Sequence, residues 1–185
     1  MREPAPPYVG EGPHALWHVS EDPAIACFRP HVSATAASSE PRVWAVDTRH
    51  LPLYWFPRQC PRGTFWATPR TTDEDASLLG GAQRVQLVEE DWFEALHATR
   101  VLAYRLPEET FTPDPDVGGY WLSRDAVAPV GVVELGDLVQ RHAVSGIELR
   151  VLPSLWPVWH RVVESTLEFS GIRLHNAKPA HAASP

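Results

Sequence analysis

The sequence has few cysteines, no long apolar run and no excess of positive charge, and each absence excludes a class of protein. Two cysteines in 185 residues cannot form a disulfide framework, and neither belongs to a CxxC pair. No segment approaches the roughly 18 apolar residues of a membrane span, and the N-terminus lacks the apolar stretch of a signal peptide. The formal net charge of -7 argues against general nucleic-acid binding. These absences predict a cytoplasmic protein with reduced thiols that contacts no membrane.

The sequence motifs of common cofactor and metal sites are also missing. Neither GxGxxG nor GxxxxGK(S/T) occurs, so neither a Rossmann nor a P-loop nucleotide site has support. The nine histidines show no HxH, HExxH or Cys-His spacing, and no metal site is predicted. A Ser-His-Asp triad has no GxSxG motif to mark its nucleophile. The sequence therefore offers no standard motif for a nucleotide, metal or serine-nucleophile site.

The composition that remains is that of an ordinary globular protein with many prolines and tryptophans. The chain is 44% hydrophobic and 21% charged, and its length suits one domain with one core. Many of the eight tryptophans must be buried or line a cleft. Residues 1–13 and 178–185 lack apolar periodicity. We therefore expect a single domain over 14–177 between two flexible tails.

Alternation of apolar and polar residues predicts a protein rich in strands. We expect strands at 16–20, 42–46, 63–68, 83–88, 100–106, 120–123, 127–135 and 147–152. We expect helices at 90–99 and 137–144, a short one containing Leu51, Tyr54 and Trp55, and a last one after Ser154, with a loop over 69–81. Asp47 or Thr48 would cap the short helix. Because strands outnumber helices without strict alternation, we predict an α+β fold with a mixed or mainly antiparallel central sheet and flanking helices.

The stretch 43–62, VWAVDTRHLPLYWFPRQCPR, concentrates aromatic, cationic and turn-forming residues, and we predict that it faces a pocket. Arg58 and Arg62 flank Cys60, and the neighbouring prolines restrict both guanidinium groups. Paired arginines suit a phosphate or carboxylate; the alternative is a salt bridge to acidic residues, and both remain open. Trp44 and Tyr54 would line this cleft. Cys60 has no general base coupled to it in the sequence, so we expect a buried structural thiol.

Two further groups of residues are candidates for a site. His18 lies on the first predicted strand, and Ser20 follows two residues later, which suits contact with a ribose hydroxyl or phosphate, or acid-base work. The alternative, a half-buried histidine bonded to the backbone, is favoured. Tyr120, Ser123 and Arg124 follow a glycine pair that would let a flat ligand approach the backbone; the alternative is a simple hairpin.

Three segments carry a resemblance to a known family: LWHVSED at 16–22, the stretch 43–62, and FSGIRLHNA at 169–177. They resemble a bacterial family whose function is unknown, whose members share the leucine-aromatic-His-Val-Ser opening and the Pro-Arg-x-Cys-Pro-Arg block. The resemblance runs from about residue 15 to 177 and implies no known activity.

A more distant resemblance is to the ADP-ribosyltransferase-like fold, which includes RNA 2'-phosphotransferases. Its first core strand carries an aromatic residue, His and then Ser or Thr, as LWHVS does with Trp17, His18 and Ser20. The aromatics that hold nicotinamide in that fold loosely resemble Trp44 and Tyr54. The resemblance implies NAD as a cofactor and a catalytic glutamate. No motif places this glutamate, and Glu134 is the candidate.

Two hypotheses follow from the sequence. In the first, the protein is a transferase that uses NAD or a related nucleotide, or a relative that only binds such a small anionic ligand. In the second, it is a non-enzymatic ligand-binding or interaction protein in which the same residues are structural. The first requires His18, Tyr54, Arg58 and Arg62 to converge on one cleft.

Overall fold

The computed structural model describes residues 15–32 and 40–180. The strands of these residues are β1 (Leu16–Ser20), β2 (Val43–Asp47), β3 (Arg62–Trp66), β4 (Arg84–Glu89), β5 (Leu102–Leu106), β6 (Thr112–Pro113), β7 (Tyr120–Ser123), β8 (Gly131–Glu134), β9 (Glu148–Leu152) and β10 (Glu168–Ile172). The α-helices are α1 (Asp73–Ala76), α2 (Phe93–Ala98), α3 (Leu138–Val144) and α4 (Trp156–Glu164). Short 3-10 helices lie at Leu51–Tyr54, Ser77–Leu79, Glu90–Trp92 and Leu174–Asn176. The predicted tail 1–13 and residues 181–185 lie outside the described residues.

The chain forms two compact units. Unit 1 comprises Met1–Trp55 and Arg100–Gly136, and unit 2 comprises Phe56–Thr99 and Asp137–Pro185. Each unit has its own sheet and its own cluster of buried apolar side chains. The predicted boundaries of a single domain, 14–177, stay a prediction.

Unit 1 is built on an antiparallel sheet of six strands in the order β6-β7-β2-β1-β5-β8. Successive side chains on a strand point to opposite faces. Leu16, Ala45 and Tyr104 belong to the buried cluster on one face, which we call the core face. Phe28 closes over this face, and its backbone pairs with that of Val127 in an isolated bridge. The opposite face therefore carries the alternate residues of the same strands.

Unit 2 is built on a sheet of four strands in the order β10-β3-β4-β9, in which only the β4–β9 pair is parallel. Gly63 of β3 pairs with Gly171 of β10, and the indole of Trp159 in α4 lies against both. A Cβ on Gly63 would lie 2.6 Å from Trp159 Cε3, and one on Gly171 would lie 2.7 Å from Trp159 Cζ2. Glycine in a strand is typical of such a close approach. The two glycines thus leave room for the indole of Trp159.

The structure is α+β with open, mainly antiparallel sheets, as the sequence predicts. It differs from the predicted arrangement in that the runs near 16–20 and 42–46 lie in one sheet, and those near 63–68 and 147–152 lie in another. The expectation that 147–152 is the last strand is wrong, because β10 follows α4. The predicted loop 69–81 contains α1, which Thr72 caps by accepting from the backbone N–H of Asp75. No helix within 15–32 and 40–180 is long and apolar enough to cross a membrane.

Candidate functional site

Three aromatic side chains of unit 1, which we call the aromatic trio, lie in contact: Trp44, Tyr54 and Tyr120. Trp44 alternates with the core residues Val43 and Ala45, so its side chain lies on the face opposite the core face. The ring of Tyr120 stands edge-on to both others, at a centroid distance of 6.3 Å in each case. The hydroxyls of Tyr54 and Tyr120 share a hydrogen bond. All three side chains are half-buried.

One polar atom of the trio has no hydrogen-bond partner in the described part of the chain. Nε1 of Trp44 is buried and finds no hydrogen-bond acceptor among residues 15–32 and 40–180. A buried donor without an acceptor costs about 1–3 kcal/mol, and such groups are few in native proteins.

The residue before Tyr120 contacts an Asp-His pair, buried His50 and half-buried Asp47, which the sequence did not predict. His50 donates to Asp47 Oδ1 from its backbone N–H, at 2.9 Å, and from its ring Nδ1, at 2.8 Å. Gly119, which precedes Tyr120, has φ +82, and a Cβ there would lie 2.0 Å from His50 Nδ1. The sequence predicts Asp47 or Thr48 as the cap of the short helix, but His50 takes the cap position without a side-chain cap bond, and Asp47 accepts from His50 instead.

His18 lies on the core face and not with the trio. Its Nδ1 donates to the backbone oxygen of Trp44 at 2.8 Å, and its ring packs on Phe28 with centroids 4.5 Å apart. Ser20, on the same face, is buried and accepts from the backbone N–H of Asp22 at 3.1 Å. The environment of His18 is that of a half-buried histidine bonded to the backbone.

The candidate Glu134 is exposed at the far side of the same sheet. It lies opposite Leu102, which lies opposite Ser20, so one whole strand separates Glu134 from Ser20. Neighbouring strands are about 4.8 Å apart, which gives roughly 10 Å between these two backbones. The carboxylate of Glu134 accepts from Arg100 Nε at 2.9 Å.

Two other candidates of unit 1 are occupied by local contacts. Ser123 is buried, and its hydroxyl donates to Thr110 Oγ1 at 2.9 Å. Arg124 is exposed and forms an ion pair with Glu40 at 3.2 Å. Of the residues predicted at the end of this strand, only Tyr120 joins the aromatic trio.

The PRQCPR segment opens unit 2, and its two arginines have different environments. Arg62 is 3% exposed, donates from Nη1 to the backbone oxygen of Cys60 at 3.0 Å, and lies over the ring of Phe56. Arg58 is exposed. Burial of Cys60, only partly offset by the charge of Arg62, raises the pKa of this thiol to about 12, so it is no nucleophile at neutral pH. The predicted buried structural thiol agrees with this geometry.

Unit 2 also contains buried polar side chains, among them His142, whose place in a helical pattern predicts a surface or capping residue. His142 has Nδ1 2.6 Å from the backbone oxygen of Leu138 and Nε2 2.5 Å from Gln86 Oε1. Burial lowers the pKa of His142 to about 4. Glu89, 2% exposed, accepts from the backbone N–H of Lys178 at 3.0 Å and that of Leu155 at 3.3 Å. The positions of His142, Gln86 and Glu89 in a helix and a strand do not by themselves indicate burial, which depends on how the strands pair.

The structure thus brings together Trp44, Tyr54 and Tyr120 in unit 1. It separates His18 from this trio by placing the two on opposite faces of the sheet. The predicted cleft that joins His18 to Arg58 and Arg62 stays a prediction. Within the described ranges, no group of three or more His, Cys, Asp or Glu side chains is placed to hold a metal ion.

One family model matches most of the chain. The model of a family of unknown function, DUF6886, matches residues 17–177. The chain belongs to this family. No curated protein and no solved structure matches the chain. Membership of DUF6886 confirms the predicted likeness to a family of unknown function.

Proposed function

We propose that this DUF6886 protein binds a flat, nucleotide-like ligand at the aromatic trio and does not transform it. The observation that carries the proposal is the contact of Trp44, Tyr54 and Tyr120 as one half-buried aromatic surface. Stacking of a base or nicotinamide ring on such side chains contributes about 1–3 kcal/mol per ring. NAD and simpler nucleotides are the ligands that this surface and the distant resemblance both favour.

The contacts of the two catalytic candidates support binding without chemistry. The imidazole of His18 is held by the backbone of Trp44 and covered by Phe28. Glu134 lies about two strand spacings from Ser20 and is paired with Arg100. A transferase would need an acid or base that touches the reacting atoms. The proposal therefore adopts the second form of the first sequence hypothesis, a relative of transferases that only binds the ligand.

The two arginines receive different roles in this proposal. Arg62 is assigned to the interior of unit 2, because its guanidinium is buried against Phe56 and bonded to the backbone of Cys60. An exposed guanidinium can still meet a phosphate, so any anion-binding role of the PRQCPR segment is assigned to Arg58. Both cysteines, Cys27 and Cys60, are free thiols, which supports the predicted cytoplasmic location.

The test is a binding titration that uses intrinsic fluorescence and thermal shift with nicotinamide, adenosine, AMP and NAD. A ligand at 100 times its Kd should stabilise the protein by about 2.7 kcal/mol. Tyr120→Ala should weaken binding by tenfold or more, since Tyr120 contacts both other rings. Tyr120→Phe should bind nearly as well, because the ring and not the hydroxyl carries the stacking.

Trp121 offers a matched control on the same strand. It is half-buried but packs against the cluster on the core face, so Trp121→Phe should leave ligand affinity unchanged. Equal losses from Tyr120→Ala and Trp121→Phe would show a general structural effect and contradict the assigned surface. Release of nicotinamide from NAD by the wild-type protein, abolished in Glu134→Gln, would contradict the non-enzymatic assignment and support the transferase hypothesis.

A further inference from the structure

The segment that follows β10 packs back onto unit 2 and is held mainly by polar contacts. It comprises residues 173–178, which we call the latch, and none of these residues is buried. Leu174 and Ala177 are half-buried and pack against the apolar cluster of unit 2. Few buried apolar contacts and solvent-exposed hydrogen bonds are typical of segments that open locally while the rest of the protein stays folded.

One end of the latch is bonded through Lys178. The backbone N–H of Lys178 donates to Glu89 Oε2 at 3.0 Å, and its backbone oxygen accepts from Trp156 Nε1 at 2.5 Å. Glu89 is 2% exposed and also accepts from the backbone N–H of Leu155 at 3.3 Å. Because the bond to Leu155 does not involve the latch, Glu89 keeps a partner when Lys178 leaves, and water can then hydrate its carboxylate. Opening of the latch therefore leaves the start of α4 in place.

The middle of the latch holds the PRQCPR segment. Asn176 Nδ2 donates to the backbone oxygen of Gln59 at 2.8 Å and to Gln59 Oε1 at 3.2 Å. Gln59 stands between exposed Arg58 and Cys60, which is 0% exposed. The latch therefore fixes the backbone of the loop that carries Arg58, at the peptide group that leads into the buried thiol.

The turn that joins β10 to the latch is strained. Arg173 has φ +56, and it is the one non-glycine residue with a positive φ within residues 15–32 and 40–180. Residues with a Cβ avoid this left-handed region because the Cβ crowds the backbone. The closed latch keeps this strain and an open latch relieves it, which favours a population of open molecules.

We propose that the latch opens about Arg173 as a unit while the sheet and α4 of unit 2 stay folded, and that opening frees the PRQCPR segment and admits solvent to Cys60. The latch is then a conformational switch over this segment. The proposal concerns unit 2 alone and does not depend on ligand binding at the aromatic trio. The buried thiol of Cys60 reports the open state, because a reagent can reach it only when its cover has moved.

The test is the rate at which Cys60 reacts with the aromatic disulfide DTNB in a Cys27→Ser background, which removes the exposed thiol. In this exchange Sγ of Cys60 bonds to one half of the reagent, the S–S bond of the reagent breaks, and the other half leaves as a coloured thiolate. The thiol proton passes to the buffer. The rate is measured in the full-length protein and its variants at a fixed pH.

Lys178→Pro and Lys178→Ala form a matched pair of variants. Proline removes the N–H that Glu89 accepts from, and the preceding Ala177, with φ -67 and ψ 157, already has a backbone that suits a following proline. Alanine keeps the N–H and loses the exposed ion pair with Asp91. Lys178→Pro should raise the rate roughly tenfold through the lost hydrogen bond. Lys178→Ala should stay within about twofold of the parent protein, since exposed ion pairs contribute little.

Asn176→Asp tests the other contact of the latch. Aspartate keeps the size of the side chain and loses both hydrogen bonds to Gln59, so the rate should again rise roughly tenfold. Low urea concentrations should barely change the rates of these variants, because local opening exposes little surface and global unfolding exposes much.

Gly81→Ala separates the latch from a general loss of stability. Gly81 lies in unit 2 with φ +95, so alanine strains the fold there without touching any contact of the latch. Cys60 in this variant should react within about twofold of the parent rate in the absence of urea. Equal acceleration by Gly81→Ala and Lys178→Pro, or rates that rise steeply with urea from the lowest concentration, would show that only global unfolding exposes Cys60 and would overturn the proposal. Unchanged rates in both Lys178→Pro and Asn176→Asp would also overturn it.

Discussion

The close approach of the Trp159 indole to the paired Gly63 and Gly171 allows a quantitative prediction for Gly63→Ala. A Cβ at Gly63 would lie 2.6 Å from Trp159 Cε3 and 2.7 Å from Cζ3, whereas carbon atoms pack best at about 3.5–4.0 Å. The indole must therefore move by about 1 Å in a site where it is 6% exposed. Overpacking of this kind costs about 1–3 kcal/mol, and alanine regains about 0.5–1 kcal/mol over glycine in a strand.

The net destabilisation of Gly63→Ala should be about 1–2 kcal/mol. For a chain of this size, that lowers Tm by about 3–6 °C. Urea denaturation of the two single variants and the double variant measures it, with Trp159→Phe as the second change. Phe removes part of the indole from the clash, so the double variant should be more stable, by about 1 kcal/mol or more, than the sum of the two effects predicts.

Gly81→Ala in the same unit is the control for this cycle. Gly81 has φ +95, and no atom lies within 4 Å of the position that a Cβ would take, so alanine there carries only the cost of a left-handed backbone, about 1–2 kcal/mol. Its effect should add to that of Trp159→Phe within about 0.5 kcal/mol. If Gly63→Ala and Trp159→Phe are equally additive, the reasoning from the close approach is refuted.

Three other predictions concern stability. Gly119→Ala combines a left-handed φ with a clash on His50 and should destabilise the protein by about 3 kcal/mol in urea denaturation. Gly136→Ala, with φ +69 and no atom near the new Cβ, should cost only about 1 kcal/mol. Equal costs would contradict the close packing of the His50 ring against Gly119. The pKa of His142 falls to about 4 on folding, so its neutral form stabilises the protein above pH 6.5, and this stability, about 3 kcal/mol, is lost as pH falls from 6.5 to 4. His142→Gln should reduce the dependence of the unfolding free energy on pH in this range. An unchanged pH dependence would show that another group causes it. Truncation after residue 177 should destabilise unit 2 by about 1–3 kcal/mol, because it removes the Lys178 N–H that buried Glu89 accepts from. Truncation after residue 180 should be nearly neutral. Similar Tm values for the two truncated proteins would refute a stabilising contact between Lys178 and Glu89.

The expected effect of truncation concerns the predicted tail 178–185. Composition alone gave no reason to expect Lys178 to dock. In the structure its backbone oxygen accepts from Trp156 Nε1 at 2.5 Å, and its ammonium forms an ion pair with Asp91 at 3.0 Å. These partners lie 22 residues away in the case of Trp156 and on a different segment in the case of Asp91. Lys178 therefore packs with unit 2, through contacts that no pattern within the tail could reveal.

Local interactions explain why many element boundaries could be predicted. Asp137 caps α3 by accepting from the backbone N–H of Gln140, and Gly146 follows the helix with φ +68. Pro52 lies in the first turn of its 3-10 helix, where its missing N–H costs nothing. Each of these signals acts within a few residues, so it is readable from the chain alone.

The sequence by itself therefore determined most of the strands, the Asp137 cap of α3 and the α+β class, because these depend on side-chain alternation and on contacts a few residues apart. Only the tertiary structure decided that the strands divide between two sheets, that Arg62 is buried while Arg58 is exposed, and that His18 and Trp44 point to opposite faces. Arg58 and Arg62 have the same local sequence, Pro-Arg, on both sides of Cys60. What distinguishes them is which one enters a strand, and strand pairing depends on residues far apart in the chain: Arg62 is opposite Val88 on one side and Ile172 on the other.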